Sequence, residues 1–393
     1  MITWEQVIQH RLDEVRQQGR ERNSVPIRSA SQPVVECDGK RLLNFASNNY
    51  LGLAGHPAII EGERQGALHG AGATASRLVI GYTEETQSLE KEMALYKGTE
   101  SALLFPSGYA ANIGTLSALL HRGSTVFSDR LNHASIVDGI RLSGARSYRY
   151  KHNDMNHLEH LLKKSASRGE TQRLIVTDAV FSMDGDQAPL RDLVTLKKQY
   201  GAALIIDDAH GGGVLGPQGK GTAHHHGVAE EVDVHMGTFS KAFGVYGAYI
   251  AGQHTWMRYL ENKSRSLIYT THLPPALIGG IHASLNEVKQ SDSLRKHVLS
   301  LSNRFRLRLQ QAGLDTGHSN TPIIPLIVGK DQLALRYSQR LAEQGILSVA
   351  IRPPTVPDGK ARLRFTLMAS HSDAQVEEAC IKIIDMGRTL GVI

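Results

Sequence analysis

The sequence predicts an α/β protein whose larger domain is a mostly parallel sheet with helices on both faces, followed by a smaller α+β domain. The first observation is that β-branched apolar runs alternate with stretches of helical periodicity through the middle of the chain. The second is a change of pattern near residue 280, after which a long amphipathic segment and short strand-like runs follow. The third is the length of 393 residues, which favours more than one domain.

Five apolar runs in the middle of the chain are predicted strands, because each ends in a polar or glycine-rich loop. They are ALLFPSG, STVFSD, RLIVTDAVFS, AALIIDDAH and VHMGTFS. Helix-like stretches such as ETQSLEKEMALYKG and LRDLVTLKKQYG lie between them. Ligands of such sheets bind at the carboxyl ends of the strands, so the polar residues there are the first candidates for a site.

The predicted domain boundaries are residues 1–50, 51–280 and 281–393. The first segment contains an amphipathic helix and a hairpin-like CDGKRLLNF, and the second is the α/β domain. In the third, SLRKHVLSLSNRFRLRLQQAG predicts a long helix. The runs IIPLIVG, LSVAIRPPTVP and ARLRFTL predict short strands before a final helix.

Composition excludes several classes of protein. The net charge is +6, but the Lys and Arg residues are dispersed, so an anionic small substrate is favoured over nucleic acid. No apolar run is long enough for a membrane span. Cys37 and Cys380 form no disulfide framework, so we expect a cytoplasmic protein. The run His224–His226 is interpreted as a surface loop without metal, because three adjacent histidines cannot all face one ion.

Lys241 lies in GTFSKAFG, between a strand-like run and a glycine-containing turn. A lysine amine can form an imine if its surroundings supply the uncharged form. The small neighbouring residues admit a planar cofactor, and Thr238 and Ser240 have hydroxyls that suit a phosphate. By itself the motif is weak, because a lone lysine in a loop is more often a solvated surface charge.

The run LIIDDAHGGG brings Asp207, Asp208 and His210 to the end of a predicted strand. A carboxylate there either binds a metal or pairs with a cationic ring nitrogen, and the adjoining glycines offer no further metal ligands. His210 is placed to contact a phenolic oxygen of a cofactor. A capping Asp with a core His remains the structural alternative.

Two further motifs offer a phosphate-binding helix start and a side chain that can stack on a planar cofactor. In FPSGYAAN, Gly108 begins a predicted helix whose backbone N–H groups suit a phosphate, and Tyr109 lies beside it. In SDRLNHASIVDG, His133 begins another helix and is placed to stack on a flat ring. The four motifs together predict a pyridoxal 5'-phosphate (PLP) site. Neither a G-x-G-x-x-G after a strand nor a P-loop motif is present.

Eight ordered segments resemble the α-oxoamine synthases, a group of PLP enzymes with the aspartate-aminotransferase-like fold (fold type I). The segments are NFASNNYLGL, SRLVIGY, LFPSGYAAN, DRLNHASIVDG, VFSMDGDQAPL, IIDDAHGGGVLG, TFSKAFG and RLRFTL. The resemblance implies a large domain around a seven-stranded type of sheet and a smaller C-terminal domain. It also implies a homodimer with its active sites at the interface.

The resemblance also implies roles for individual residues. Lys241 binds the cofactor as a Schiff base, Asp207 pairs with the ring nitrogen and His133 stacks on the ring. The other cofactor contacts implied are His210 and Ser182 at the phenolic oxygen, Gly108, Tyr109 and Thr238 towards the phosphate, and Thr270 or Thr271 towards the neighbouring subunit's phosphate. Asn48 and Arg364, with His133, address the amino-acid substrate, and Arg22 and Thr355 lie along the acyl site.

Members of this group join an acyl thioester to a small amino acid with loss of carbon dioxide. The segment AIRPPTVPDGKARLRFTL is most similar to the branch that uses L-alanine and a pimeloyl thioester, carried by CoA or by acyl carrier protein. Branches that make 2-amino-3-ketobutyrate or 5-aminolevulinate remain the alternatives. A PLP aminotransferase or decarboxylase, and an inactive homologue used for binding, are the rivals outside the group.

Overall fold

The computed structural model describes residues 2–22 and 24–393. Its strands are β1 (Val34–Cys37), β2 (Lys40–Asn44), β3 (Ser101–Phe105), β4 (Thr125–Asp129), β5 (Arg146–Tyr150), β6 (Arg173–Asp178), β7 (Ala202–Asp207), β8 (Val234–Thr238), β9 (Ala248–Gly252), β10 (Ile323–Gly329), β11 (Ile346–Leu347), β12 (Val349–Ile351) and β13 (Ala361–Thr366). Its α-helices are α1 (Trp4–Gln17), α2 (Pro57–Ala67), α3 (Glu84–Lys97), α4 (Gly108–Leu119), α5 (Ala134–Ser143), α6 (Met155–Ser167), α7 (Leu190–Tyr200), α8 (Thr222–His225), α9 (His254–Lys263), α10 (Arg265–Ile268), α11 (Pro275–Gln290), α12 (Asp292–Gln311), α13 (Asp331–Glu343) and α14 (Asp373–Thr389).

The large sheet has seven strands in the spatial order β3-β9-β8-β7-β6-β4-β5. Strand β9 runs antiparallel to both of its neighbours, and the remaining pairs are parallel. All five strands predicted in the middle of the chain are present. The mostly parallel α/β sheet is therefore confirmed.

Both faces of this sheet are buried, which explains why its central strands are continuous apolar runs. In β7, Ile205 belongs to the core on one face, while Leu204 and Ile206 belong to the core on the other. Helix α4 packs on the first side and helix α7 on the second.

Strands β5 and β9 have no counterpart in the prediction. Strand β5 has the sequence RSYRY and lies at the edge of the sheet, where polar side chains face water. Strand β9 has the sequence AYIAG, in which small residues weaken the strand signal. Both strands are fixed by their neighbours in the sheet more than by their own residues.

The C-terminal part contains an antiparallel sheet in the order β10-β13-β12 and the helices α12, α13 and α14. The predicted long helix, final helix and short strands are confirmed. The N-terminal hairpin is also confirmed, and β2 pairs in parallel with β11 from the C-terminal part. Helix α11 crosses residue 280, and the domain boundaries stay a prediction.

The prediction of a loop at His224–His226 is wrong for the first two residues, which are helical. His224 and His225 end the short helix α8, since the preceding Thr222 is fixed to Asp208 by two hydrogen bonds.

Across the described ranges, no cluster of three or more His, Cys, Asp or Glu side chains is arranged to hold a metal. No helix in those ranges is both long and apolar enough to cross a bilayer. Cys37 and Cys380 are buried and unpaired.

Candidate active site

A cavity of about 210 Å³ opens at the carboxyl ends of the parallel strands. It brings together nine of the predicted residues, namely Gly108, Tyr109, His133, Ser182, Asp207, His210, Thr238, Ser240 and Lys241. Asp207 and Thr238 end β7 and β8, and His133 and Gly108 follow β4 and β3 at the starts of helices. Parallel strands therefore deliver motifs that are far apart in sequence to one edge.

Lys241 lies beside His210, with 2.8 Å between Lys241 Nζ and His210 Nε2. Burial lowers the pKa of Lys241 to about 8, although the nearby carboxylate of Asp207 raises it. Burial also holds the pKa of His210 well below its ordinary value, and the positive charges of Lys241 and Arg364 add to that effect. The site therefore combines an amine that loses its proton readily with an uncharged imidazole.

The carboxylate of Asp207 is held in place at both oxygens. Asn112 Nδ2 donates to Asp207 Oδ2 at 2.7 Å, and the backbone N–H of Ala209 donates to Oδ1 at 2.9 Å. Asn112 also donates to Ser135 Oγ, which lies 2.7 Å from His133 Nδ1. A fixed carboxylate at this depth suits a cationic ring nitrogen.

His133 is oriented by the start of helix α5. Its backbone N–H donates to Asp178 Oδ2 at 3.1 Å, and its ring stands edge-to-face with that of Tyr109. Burial lowers the pKa of His133, against the opposing charge of Asp207. An uncharged ring in this position can lie flat against a planar group.

Asp178, at the end of β6, is a second buried carboxyl in the cavity wall. Burial and the nearby Asp207 raise its pKa well above the ordinary value. Its Oδ1 is buried without a hydrogen-bond partner among the described residues. The cavity thus has an unpaired carboxyl oxygen on its wall, which favours an occupant that can form a hydrogen bond with it.

The end of the cavity near Gly108 has the small size and the backbone donors that a phosphate needs. Gly108 is the first residue of α4, and a Cβ atom at this position would lie 3.0 Å from Met236 Cε. Thr238 Oγ1 donates to the carbonyl of Gly247 at 2.8 Å and accepts from the N–H of Ser240. The amine, carboxylate, imidazole and helix N-terminus fit the groups of PLP.

Arg364 lies next to this cavity and is only 6% exposed. Its Nη2 donates to Asn48 Oδ1 at 2.9 Å, its Nε donates to the carbonyl of Ser182 at 2.5 Å, and its Nη1 donates to Thr366 Oγ1. None of the salt bridges within residues 2–22 and 24–393 gives Arg364 a carboxylate partner. A buried guanidinium in this state suits a carboxylate, and its role in binding a substrate stays a prediction.

Residues 40–383 match the model of the aminotransferase class I and II family. The chain belongs to this family. It is 49% identical over 390 residues to the 8-amino-7-oxononanoate synthase of Citrifermentans bemidjiense, covering 99% of this chain and 100% of that protein. The predicted family and the aspartate-aminotransferase-like fold are confirmed.

Solved structures show the same fold as this family member. The 8-amino-7-oxononanoate synthase of Francisella tularensis is 28% identical with a TM-score of 0.78, over 90% of this chain and 99% of that one. A serine palmitoyltransferase from S. paucimobilis with bound PLP is 28% identical with a TM-score of 0.92, over 98% of each chain.

Six residues of this aminotransferase-family chain with a role implied by the resemblance lie outside the cavity wall, and two of them are Asn48 and Arg364, described above. Arg22 Nη2 lies 3.4 Å from Thr355 Oγ1, so the two residues predicted for the acyl site are neighbours on the surface. Thr270 and Thr271 lie apart from the cavity, and Thr271 pairs with Ser76. Their roles stay predictions.

Sequence reasoning missed Tyr50, Asn112, Ser135 and Asp178. Asp178 had a visible signal, since it ends an apolar strand as Asp207 does. Tyr50 lies 160 residues before its partner His210, and only tertiary packing brings them together.

Proposed function

We propose that this protein is a PLP-dependent 8-amino-7-oxononanoate synthase. It condenses L-alanine with a pimeloyl thioester and releases carbon dioxide and free CoA or acyl carrier protein, a step of biotin biosynthesis. The observation that carries the proposal is the buried Arg364–Asn48 pair beside Lys241, in a chain similar over its full length to enzymes of that name. A carboxylate receptor next to a reactive amine suits an amino-acid substrate.

The residues of the chain have separate tasks in this reaction. When bound, PLP supplies a cationic ring that accepts the electron pair left at the α-carbon of the amino acid. Lys241 would hold the cofactor and then move the α-proton, because burial makes its amine available near neutral pH. Asp207 would keep the ring nitrogen protonated, His133 would pack on the ring, and Arg364 would fix the alanine carboxylate.

The enzyme is further proposed to be a homodimer. Leu78, Val79 and Ile80 are more than half exposed, in the turn Arg77–Gly81. Arg77 anchors that turn through a bidentate pair with Glu90 at 2.7 and 2.8 Å. A rigid, exposed apolar turn suits an interface between two copies. A cytoplasmic location is supported by the two unpaired cysteines.

A thiol-release assay tests the reaction. The protein is incubated with pimeloyl-CoA and with alanine, glycine or serine in turn, and free CoA is measured. We expect CoA release that requires both pimeloyl-CoA and L-alanine. Preference for glycine would instead favour a synthase of 2-amino-3-ketobutyrate or 5-aminolevulinate, and amino transfer without a thioester would favour an aminotransferase.

A further inference from the structure

A continuous chain of hydrogen bonds joins Lys241 to Arg364 through Tyr50. The hydroxyl of Tyr50 lies 2.6 Å from His210 Nδ1, on the side of the ring opposite Lys241. The same hydroxyl lies 3.4 Å from Asn48 Oδ1, the atom that accepts from Arg364. Tyr50 is 1% exposed, so water does not substitute for these contacts.

The donors and acceptors of this chain depend on one another. An uncharged imidazole has one N–H, and the surroundings of His210 hold it uncharged. If Lys241 is an ammonium that donates to Nε2, then Nδ1 carries the proton and donates to Tyr50, whose hydroxyl turns to Asn48. If Tyr50 instead donates to Nδ1, then Nε2 donates to Lys241, which must be an uncharged amine.

We propose that Tyr50 is a positioning residue that sets which ring nitrogen of His210 carries the proton, and that this choice is coupled to the protonation of Lys241. The inference deepens the proposed function and depends on it for the role of Lys241 as the cofactor lysine. The hydroxyl of Tyr50 is suited to this because it can donate to His210 or accept from it.

Titratable and charged groups from several elements act on this chain of hydrogen bonds. Arg364 from β13 and His133 from the start of α5 act on His210, and the carboxyls of Asp207 and Asp178 act on Lys241. Burial raises the pKa of Tyr50 to about 12, against the opposing charge of Arg364. Tyr50 therefore keeps its proton at neutral pH. The chain of hydrogen bonds changes its direction when the Tyr50 hydroxyl rotates.

Replacing Tyr50 by Phe removes the partner of Nδ1 and leaves the ring in place. A buried N–H without an acceptor is costly, so His210 then carries its proton on Nε2. The ammonium of Lys241 loses its acceptor, so its pKa falls, and we expect the uncharged amine to be about tenfold more abundant in mildly acidic buffer.

The test uses the full-length chain without cofactor in three forms, namely wild type, Y50F and Y337F. The tautomer of His210 is determined from its ring nitrogen shifts by NMR, and labelling of Lys241 by acetic anhydride is followed against pH by peptide mass spectrometry. Tyr337 is the matched control, because its buried hydroxyl also donates at 2.5 Å, to the carbonyl of Ile383 within the C-terminal core.

In Y50F we expect the proton of His210 on Nε2, and we expect acetic anhydride to label Lys241 about tenfold faster in mildly acidic buffer. Y337F should behave as the wild type in both measurements. In the wild type, His210 must also change tautomer near pH 8, as Lys241 loses its proton. An unchanged tautomer and labelling profile in Y50F, or no tautomer change in the wild type, would overturn the proposal. Neither readout uses substrates, so a wrong substrate assignment leaves both results intact.

Discussion

Arg364 Nη2 donates to Asn48 Oδ1 at 2.9 Å, and this contact joins strand β13 of the C-terminal sheet to the loop that follows β2. Arg364 also donates to the carbonyl of Ser182, which follows β6 of the large sheet. One buried guanidinium therefore connects three parts of the chain at the edge of the cavity. Among the described residues its hydrogen-bond partners are all uncharged, so a substrate carboxylate would neutralise its charge.

Replacing Arg364 by Gln is expected to weaken alanine binding. A charged hydrogen bond to a carboxylate contributes about 1.5–3 kcal/mol, so the KM for L-alanine should rise about tenfold to a hundredfold. PLP should still bind, since its proposed contacts lie on other residues. Steady-state kinetics with varied alanine measure the effect.

Arg304→Gln is the matched control, because Arg304 is half-exposed and pairs with Asp373 on the surface. Its KM for alanine should equal that of the wild type. An R364Q variant with unchanged KM would show that the carboxylate binds elsewhere.

The partly buried His152 links two carboxylates, and this arrangement predicts a pH-dependent stability. Its Nδ1 lies 3.1 Å from Asp129 Oδ1 and its Nε2 lies 2.8 Å from Asp186 Oδ2. Burial lowers the pKa of His152, but the hydrogen bonds to the two carboxylates outweigh it and raise the pKa from 6.5 to about 10. The stabilisation is therefore complete below pH 6.5 and is lost as the pH rises to about 10.

Thermal unfolding of the wild type and His152→Gln across this pH range checks the prediction. The wild type should have the higher Tm near pH 6, by ~2 °C or more. The difference in Tm between the wild type and the variant should narrow as the pH approaches 10. A gap that is constant with pH would mean that His152 acts by packing alone.

The apolar turn Arg77–Gly81 predicts a change of oligomeric state on substitution. Ile80 is 73% exposed, so Ile80→Asp costs little within one copy but places a charge in the proposed interface. Light scattering should report a dimer for the wild type and a smaller species for I80D. Ile381→Asp, on the exposed side of α14, is the control and should stay dimeric.

The site could be predicted from sequence where its residues are carried by local strand–loop–helix motifs. Asp207, His210, Gly108 and Lys241 each follow an apolar run, and the parallel sheet places the ends of such runs together. Tyr50 could not be predicted in this way, because no local pattern connects its loop to His210. Strand β5 was missed for a similar reason, since its polar edge residues become a strand only through pairing with β4.

The central claim is that Lys241 is the residue that binds PLP, and borohydride reduction of the PLP-loaded protein followed by peptide mapping tests it most directly. Lys97 is an internal control, because burial also lowers its pKa to about 8, but its Nζ donates to the carbonyl of Lys220, and Lys97 does not line the cavity. We predict that the cofactor mass is found on the peptide containing Lys241 and is absent from that containing Lys97. Cofactor mass on any other lysine, with Lys241 unmodified, would contradict the account.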